Sequence, residues 1–348
     1  MKAAVLTELN QPLKIFDVEV PPLREGEVLV KLAYSGVCHS QLMEARGHRG
    51  PDSYLPHLLG HEGTGVVEQI GPGVTKVEPG DKVILGWIRG SGKDARGISY
   101  QHGSTKVNAG GVTTFNEKAI VAENRLTLLP HGVPMDVAVL FGCAIPTGAG
   151  IVLNKMKPQD NSTIAVFGLG GIGLSALMAT QLFKCSKVIG IDVSDEKLEL
   201  AKSFGATHTI NAAKTDVLAT IKDLTNNNGV DYSVEASGNA RTIELAFSSI
   251  RKNGGLCVFA SHPANGEKIN LDPYDLICGK KIEGTWGGEC NPDRDIPLFG
   301  DLYRQGKLPL EKLLSHRYKI EDINEALIDL ENKRVARPLI EINPSLGV

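Results

Sequence analysis

Up to about residue 145 the apolar positions fall in short runs that partly alternate with polar ones, with glycine and proline between them. AAVLTE, LKIFDVEV, EVLVKLAYSGV, GTGVVEQIG, DKVILGW and TFNEKAIV read as strands on that pattern. GPGV and EPGDKV read as turns. The expectation is a rolled-up antiparallel arrangement with long irregular loops, one of them around residues 88 to 112. Near residue 162 the pattern changes. STIAVF predicts a strand and GLSALMATQLFK the helix after it. KVIGID is a second strand, followed by SDEKLELAKSFGA, an amphipathic helix with Ser194 as its N-cap. HTIN, VDYSVEAS, LCVFAS and KKIEGTW supply four more strands, and TDVLATIKDLT and ARTIELAFSSI two more helices. Six strands with intervening helices predict two βαβαβ halves of a doubly wound parallel sheet. From about residue 287 the tail is mixed, with a helix near IEDINEALIDLEN.

Composition narrows the class without changing this picture. A chain of 348 residues is long enough for two domains. A net charge of -3 gives no reason to expect nucleic acid or an acidic membrane as partner, and 5% aromatic content argues against base-stacking surfaces. The opening MKAAVLTELNQ lacks a signal-peptide core, and no eighteen apolar residues run together, so no membrane span is expected. The six cysteines are scattered with no CxxC pair. That pattern favours reduced thiols in cytoplasm over a disulfide framework.

The stretch VFGLGGIGLSA carries Gly168, Gly170, Gly171, Ile172 and Gly173 in a G-x-G-x-x-G run. A predicted strand precedes it, a predicted helix follows, and Asp192 closes the next strand. This is the context a dinucleotide turn needs: the glycines let a pyrophosphate approach a helix N-terminus, and the acid accepts from the adenosine ribose. Asp192 would repel a 2′-phosphate, and Val193 and Ser194 offer no cation in compensation. NAD is therefore expected over NADP. A nicotinamide domain placed second leaves the substrate chemistry to the first segment.

That segment holds Cys38 in SGVCHS, His61 and Glu62 in LLGHEGTGVV, and Cys143 in LFGCAIPTG. Thiolate and imidazole suit zinc in a tetrahedral site with one open position. Taken singly, each residue is also compatible with a small core thiol or a turn histidine.

Taken together, GVCHS, GHEGTGVVEQIGPGVTKVEPGDKV, CAIPTGAG, VFGLGGIG and GIDVSDEKLELAKSFGAT resemble the zinc-dependent medium-chain alcohol dehydrogenases. The resemblance runs from about residue 2 to residue 342, and its most specific part is the GHE run followed by GDKV. It implies a GroES-like catalytic domain, residues 1–145 and 287–348, into which a Rossmann NAD-binding domain, residues 146–286, is inserted. It makes Cys38, His61 and Cys143 zinc ligands, with Glu62 beside the metal or entering as a transient fourth ligand. Ser40 matches the hydroxyl that takes the substrate proton, and Trp87 a residue lining the substrate pocket. On the cofactor side, His39 and Arg337 match pyrophosphate contacts and Lys197 a ribose contact. Thr147 matches a threonine near the nicotinamide, and Ala260 and Ser261 complete the expected cofactor contacts. The resemblance further implies a small alcohol or carbonyl substrate and a homo-oligomer, dimer or tetramer.

Two departures stand out. Many members carry a second, structural zinc held by four cysteines in the loop after GDKV. Here WIRGSGKDARGISYQHGSTKVNAGG holds none, and Ser91, Asp94 and Gly97 fall near the positions of those thiolates. One zinc per chain is expected, with the loop held by its own hydrogen bonds or by a subunit contact. Met43 stands where some members carry a relay histidine, so the proton must leave through the cofactor ribose and water or through a group such as His48. Pocket residues outside the motifs decide substrate size, which leaves a polyol, sugar-alcohol or amino-alcohol dehydrogenase of the same fold open. A zinc-free, NADPH-using reductase is disfavoured by the three ligand candidates and Asp192. A non-catalytic NAD-sensing protein is disfavoured by Ser40 beside Cys38.

Overall fold

The computed structural model of the chain describes residues 1–314 and 316–347. These divide into two compact units. One comprises Met1–Cys143, Asn291–Gly306 and Leu310–Val348; the other comprises Ala144–Cys290 with Lys307–Pro309.

The first unit is built on the ten-residue strand Glu27–Gly36, whose sequence is almost uniformly buried. Val28, Val30 and Leu32 enter one hydrophobic cluster with Val67, Val83, Leu85 and Val121, while Leu29 joins another with Val5, Leu58, Tyr100 and Ile120. Alternate residues therefore serve two different cores, as a pleated strand with both faces covered requires. This strand pairs antiparallel with Gly63–Ile70, Lys118–Ala122 and Pro338–Glu341. The registers Ser35↔Gly63 and Gly36↔Leu339 place its C-terminal end beside the starts of two partners. Residues immediately outside these strand ends, namely 37–38, 61–62 and 337, are thereby gathered at one place. Strand Lys82–Leu85 pairs on Gly63–Ile70 with Gly63↔Leu85, bringing in the segment after Leu85.

Residues 88 to 112, read from sequence as irregular, contain a hairpin, Ser99–His102 with Thr105–Asn108. Its two-residue turn, Gly103-Ser104, puts glycine at a first central position of positive φ, 57°, as such hairpins require. The hairpin is fixed because Tyr100 and Val107 are buried and the Tyr100 hydroxyl accepts the Ile120 N–H at 2.7 Å. The helix Pro292–Arg304 is likewise a finding beyond the mixed tail expected, started by Asn291 as N-cap and a proline in its first turn.

The loop is anchored by carboxylates. Glu123 is buried, and its Oε1 accepts from the N–H groups of Thr75 and Lys76 at 2.6 and 2.7 Å while its Oε2 accepts from Lys93 N–H at 2.6 Å. Asp293 accepts from Ser91 N–H at 2.6 Å and pairs with Lys76 Nζ at 2.5 Å.

The second unit holds six parallel strands in the order His208–Asn211, Lys187–Asp192, Thr163–Phe167, Tyr232–Glu235, Leu256–Phe259, Lys281–Gly284. The strand order reverses at Thr163–Phe167, the switch point beside which such sheets bind ligands. Helices follow the strands, and four start where the sequence offers a cap: Ser194, Asp216, Asn239 and Asp272 each accept a first-turn N–H. Among the described residues no single helix is long and apolar enough to cross a membrane.

The Glu123 anchor has a measurable consequence. Burial pushes its carboxyl up, but the three backbone donors outweigh burial and hold it below the usual range. A depressed folded-state pKa contributes stability above the unfolded value, near 4.3, and that contribution is lost as pH falls through the folded value. Glu123→Gln turns an NH₂ toward a backbone donor and is expected to cost about 2 kcal/mol or more at pH 7. Urea unfolding from pH 7 downward should show the gap to wild type closing below about pH 4; a constant gap would contradict the assignment.

Candidate active site

Cys38 is the N-cap of helix His39–Ala45, with extended backbone at φ −101, ψ 149. The short apolar helix Val139–Gly142 delivers Cys143. Both cysteines are buried, their sulfurs lie 4.0 Å apart, and none of the chain's cysteines is in a disulfide among the described residues. His61 precedes the strand Gly63–Ile70 and is half-buried. One ligand atom from each of Cys38, His61 and Cys143 lies within 4.8 Å of the others. His61 Nδ1 is taken up by the Gln41 side-chain nitrogen, with Ser40 Oγ at 3.5 Å. Nε2 is buried and has no hydrogen-bond partner.

These residues fit zinc. A tetrahedral ion with Zn–S bonds of about 2.3 Å holds two sulfurs about 3.8 Å apart, close to the separation found. The buried Nε2 has no protein partner, and a metal ion would satisfy it. Two thiolates and an imidazole leave one position of the tetrahedron open.

The electrostatics around the centre are dominated by burial. The contact with Cys143, together with Arg337 and His61, holds Cys38 well below the ordinary thiol range against its burial. Cys143 moves the other way, pushed well up by its bond to Cys38 and by burial. Glu62 is fully buried, and burial outweighs the pull of the Arg337 guanidinium and leaves its carboxyl above the ordinary range. Arg337 Nη2 donates to Glu62 Oε2 at 2.6 Å, and both side chains are inaccessible. Burial opposes the Arg337 charge, but Glu62 and the two sulfurs outweigh it and raise its pKa well above the usual value. Glu62 Oε1 and Arg337 Nε have no partner. Glu62 is not one of the three residues whose ligand atoms cluster. Space for it comes from glycines: a Cβ on Gly36 would stand 2.5 Å from Oε1, and one on Gly142 would stand 2.7 Å from the Glu62 Cβ.

Around this group, Ser40 is half-buried and His39 exposed on the first turn of their helix. Trp87 is half-buried and its carbonyl accepts from Arg125. Met43 is half-buried and His48 exposed.

In the second unit Gly170 is the N-cap of helix Gly171–Thr180, and a Cβ there would meet nothing within 4 Å. Gly173 is obligatory for a different reason: a Cβ would stand 1.9 Å from the Gly168 carbonyl oxygen. Asp192 closes its strand, but its carboxylate is partly used by the chain. Oδ2 accepts from Leu169 N–H at 2.7 Å, and Oδ1 from Val193 and Ser194 N–H at 2.8 and 3.1 Å. A carboxylate has about four acceptor sites, so capacity for one further donor remains. Thr147 is buried with an unpartnered hydroxyl, Lys197 is half-buried in the first turn of the following helix, and Ala260 and Ser261 are half-buried just past Leu256–Phe259. An open helix N-terminus, an unpartnered hydroxyl and a carboxylate with spare capacity fit a dinucleotide.

The sequence of the first unit matches the family described as alcohol dehydrogenase GroES-like domain over residues 24–131, and residues 171–302 match the zinc-binding dehydrogenase family. The chain is 33% identical to the class-3 alcohol dehydrogenase of Zea mays, covering 93% of this chain and 92% of that one. The chain belongs to the zinc-dependent medium-chain alcohol dehydrogenase family. Among solved structures, benzyl alcohol dehydrogenase from Acinetobacter calcoaceticus has a TM-score of 0.89 at 31% identity, covering 98% of each chain. An alcohol dehydrogenase zinc-binding domain protein from Burkholderia ambifaria gives the same TM-score at 28% identity, again over 98% of each chain. Membership of this family makes the chain a zinc-dependent alcohol oxidoreductase, with a GroES-like first unit and a doubly wound second one.

Two features of the centre were not read from sequence. One is Gln41, whose Oε1 accepts the Cys38 N–H at 2.9 Å while its nitrogen faces His61. The available signal was positional: a glutamine three residues after an N-cap is the second half of a capping box. The other is the partner of Arg337. The resemblance assigned this arginine to a pyrophosphate, and the structure places its guanidinium on Glu62.

Removing one member of a buried ion pair strands the other. Arg337→Met is expected to lower stability by about 3–5 kcal/mol, and the double variant Glu62→Gln/Arg337→Met by much less than the two singles together. Denaturant unfolding of the four proteins measures this; simple additivity would show that the pair is not coupled.

Proposed function

We propose that the chain oxidises a primary or secondary alcohol to an aldehyde or ketone, and catalyses the reverse reduction, using NAD and a single catalytic zinc held by Cys38, His61 and Cys143. The observation that carries the reading is the convergence of two buried sulfurs on a histidine nitrogen with no other partner. When bound, zinc supplies Lewis acidity at the substrate oxygen and NAD accepts the hydride from its carbon.

The chain's own residues do the rest. Ser40, two residues after a ligand and half-buried, offers a hydroxyl that accepts the substrate proton and passes it toward solvent. Met43 cannot relay a proton, so the route lies through water or through exposed His48. Glu62 and Arg337 form a fixed charge pair behind the ligands, and Glu62 is read as a neighbour of the metal that orients and balances it. Trp87 lines the substrate side, and His39 meets the cofactor phosphates. In the second unit the helix N-terminus at Gly170 receives the pyrophosphate, Asp192 and Lys197 the ribose, and Thr147, Ala260 and Ser261 the nicotinamide end. The negative Asp192, followed by Val193 and Ser194, favours NAD over its 2′-phosphorylated form.

A second, structural zinc is not expected, because the 88–112 loop has no cysteine and is tied down by Glu123 and Asp293 instead. We further propose a cytoplasmic homo-oligomer, on the reduced cysteines and on the sheet-edge strand Lys281–Gly284.

Cys38→Ser tests the centre. Zinc content, about one per chain in wild type, should fall to near zero, and NADH formation from an alcohol panel should be lost while NAD binding by fluorescence titration persists. Normal turnover in the variant would refute the zinc reading, and two zincs in wild type would refute the reading of the loop. For the cofactor, Asp192→Ala should raise kcat/KM with NADP relative to NAD; an unchanged ratio would count against the ribose assignment.

A further inference from the structure

We infer that Gln41 is a positioning residue that sets how tightly the centre holds its metal, because its amide cannot serve both N–H donors facing it once His61 ligates. The inference rests on the zinc reading proposed above. Gln41 is the third residue of helix His39–Ala45 and is 2% exposed. Its Oε1 accepts the Cys38 N–H at 2.9 Å. A backbone N–H can only donate, so the amide oxygen must be the atom that faces it. This fixes the orientation of the amide and aims its NH₂ at His61 Nδ1. Nδ1 is then the acceptor, and the neutral ring carries its proton on Nε2.

Nε2 is also the nitrogen left for the metal, since it is buried and without a partner. A ligating nitrogen is proton-free, so binding moves the ring proton to Nδ1, where it must be donated. The group in front of it is an NH₂, which cannot accept. Turning the amide over presents its oxygen to Nδ1–H but points the NH₂ at the Cys38 N–H. In either orientation one of the two donors, Cys38 N–H or Nδ1–H, is left without an amide acceptor once the metal is bound. Ser40 Oγ is the other acceptor in reach, at 3.5 Å, the outer limit of a hydrogen bond. A carboxylate at position 41 has no such conflict: one oxygen takes the Cys38 N–H and the other takes Nδ1–H. A glutamate is also well suited to that place in the first helical turn.

Compared with a carboxylate, the amide therefore supports the metal-bound ring poorly, and the centre releases its ion more readily than the same ligands backed by a carboxylate would. Gln41→Glu should hold zinc about 10- to 100-fold more tightly than wild type in competition with a chromophoric chelator, the range associated with such outer-shell partners. Unchanged or weaker binding in Gln41→Glu overturns the inference, whereas failure of wild type itself to bind zinc overturns the reading of the centre. A second measurement needs no variant at position 41. In metal-free wild type labelled with ¹⁵N-histidine, with His61 assigned by difference from His61→Gln, the ring should show the proton on Nε2 and should move it to Nδ1 on adding zinc. A proton already on Nδ1 without metal, or no proton on Nδ1 with it, also overturns the inference.

Discussion

The first unit is organised around one buried charge problem. Glu62 and Arg337 face each other at 2.6 Å, both buried, beside two buried sulfurs. An isolated carboxylate or guanidinium at such a depth would be very costly, and the pair is tolerable only because each satisfies the other. The balance changes when both thiols ionise. Two thiolates and a carboxylate against one guanidinium leave two negative charges uncompensated in a dry place. A divalent cation removes that excess, and the ligand set selects zinc. With zinc on the proposed ligands, the ion pair and the metal site form one electrostatic unit: Arg337 opposes the burial that pushes the Glu62 carboxyl up, and the metal would let Cys38 and Cys143 ionise together.

Strand register builds this unit. Ser35↔Gly63 and Gly36↔Leu339 bring the residues just beyond three strand ends to one place, so Cys38, His61, Glu62 and Arg337 need no special loop to meet. A one-residue slip in either pairing would send alternate side chains to the opposite face and separate the set. The hydrophobic alternation of Val28, Leu29, Val30 and Leu32 between two cores holds the strand in place, and an irregularity between Leu32 and Tyr34 then resets the pairing so that Ser35 meets Gly63. Gly36 and Gly142 supply the remaining condition, a space with no Cβ into which the Glu62 side chain fits.

The pattern of the chain carried the fold class, and for a physical reason. Strands and helices of the second unit are local, with periodicities and caps such as Ser194 written in consecutive residues. The proposed ligands Cys38, His61 and Cys143 were legible as types that zinc accepts, but their convergence depends on pairings between distant segments. The Glu62 partner was not legible, because Arg337 lies 275 residues away and a lone arginine before a strand has no local signature. Gln41 was missed for the opposite reason: glutamine in a first helical turn is ordinary, and only its contact with His61 marks it. The hairpin Ser99–His102 with Thr105–Asn108 was read as loop although its Gly103-Ser104 turn is a pair that two-residue hairpins use; the surrounding glycine-rich stretch has little hydrophobic alternation, and burial of Tyr100 and Val107 fixes the pairing.

The dinucleotide turn shows how a single carboxylate can bind two properties together. Asp192 was read as a ribose acceptor, and in the structure it also accepts from Leu169 N–H inside the glycine-rich turn and from Val193 and Ser194 after its own strand. Three bonds to backbone donors fix the carboxylate in place with one acceptor site still open. Preorganisation of this kind spares a ligand the cost of ordering the group that meets it. On the proposed ribose assignment it also ties cofactor preference to loop geometry. Replacing the acid to admit a 2′-phosphate would unpair three backbone N–H groups and loosen the turn on which the pyrophosphate depends. A change of cofactor in this chain would therefore need a second donor-satisfying group near residue 169, in addition to a cation after residue 192.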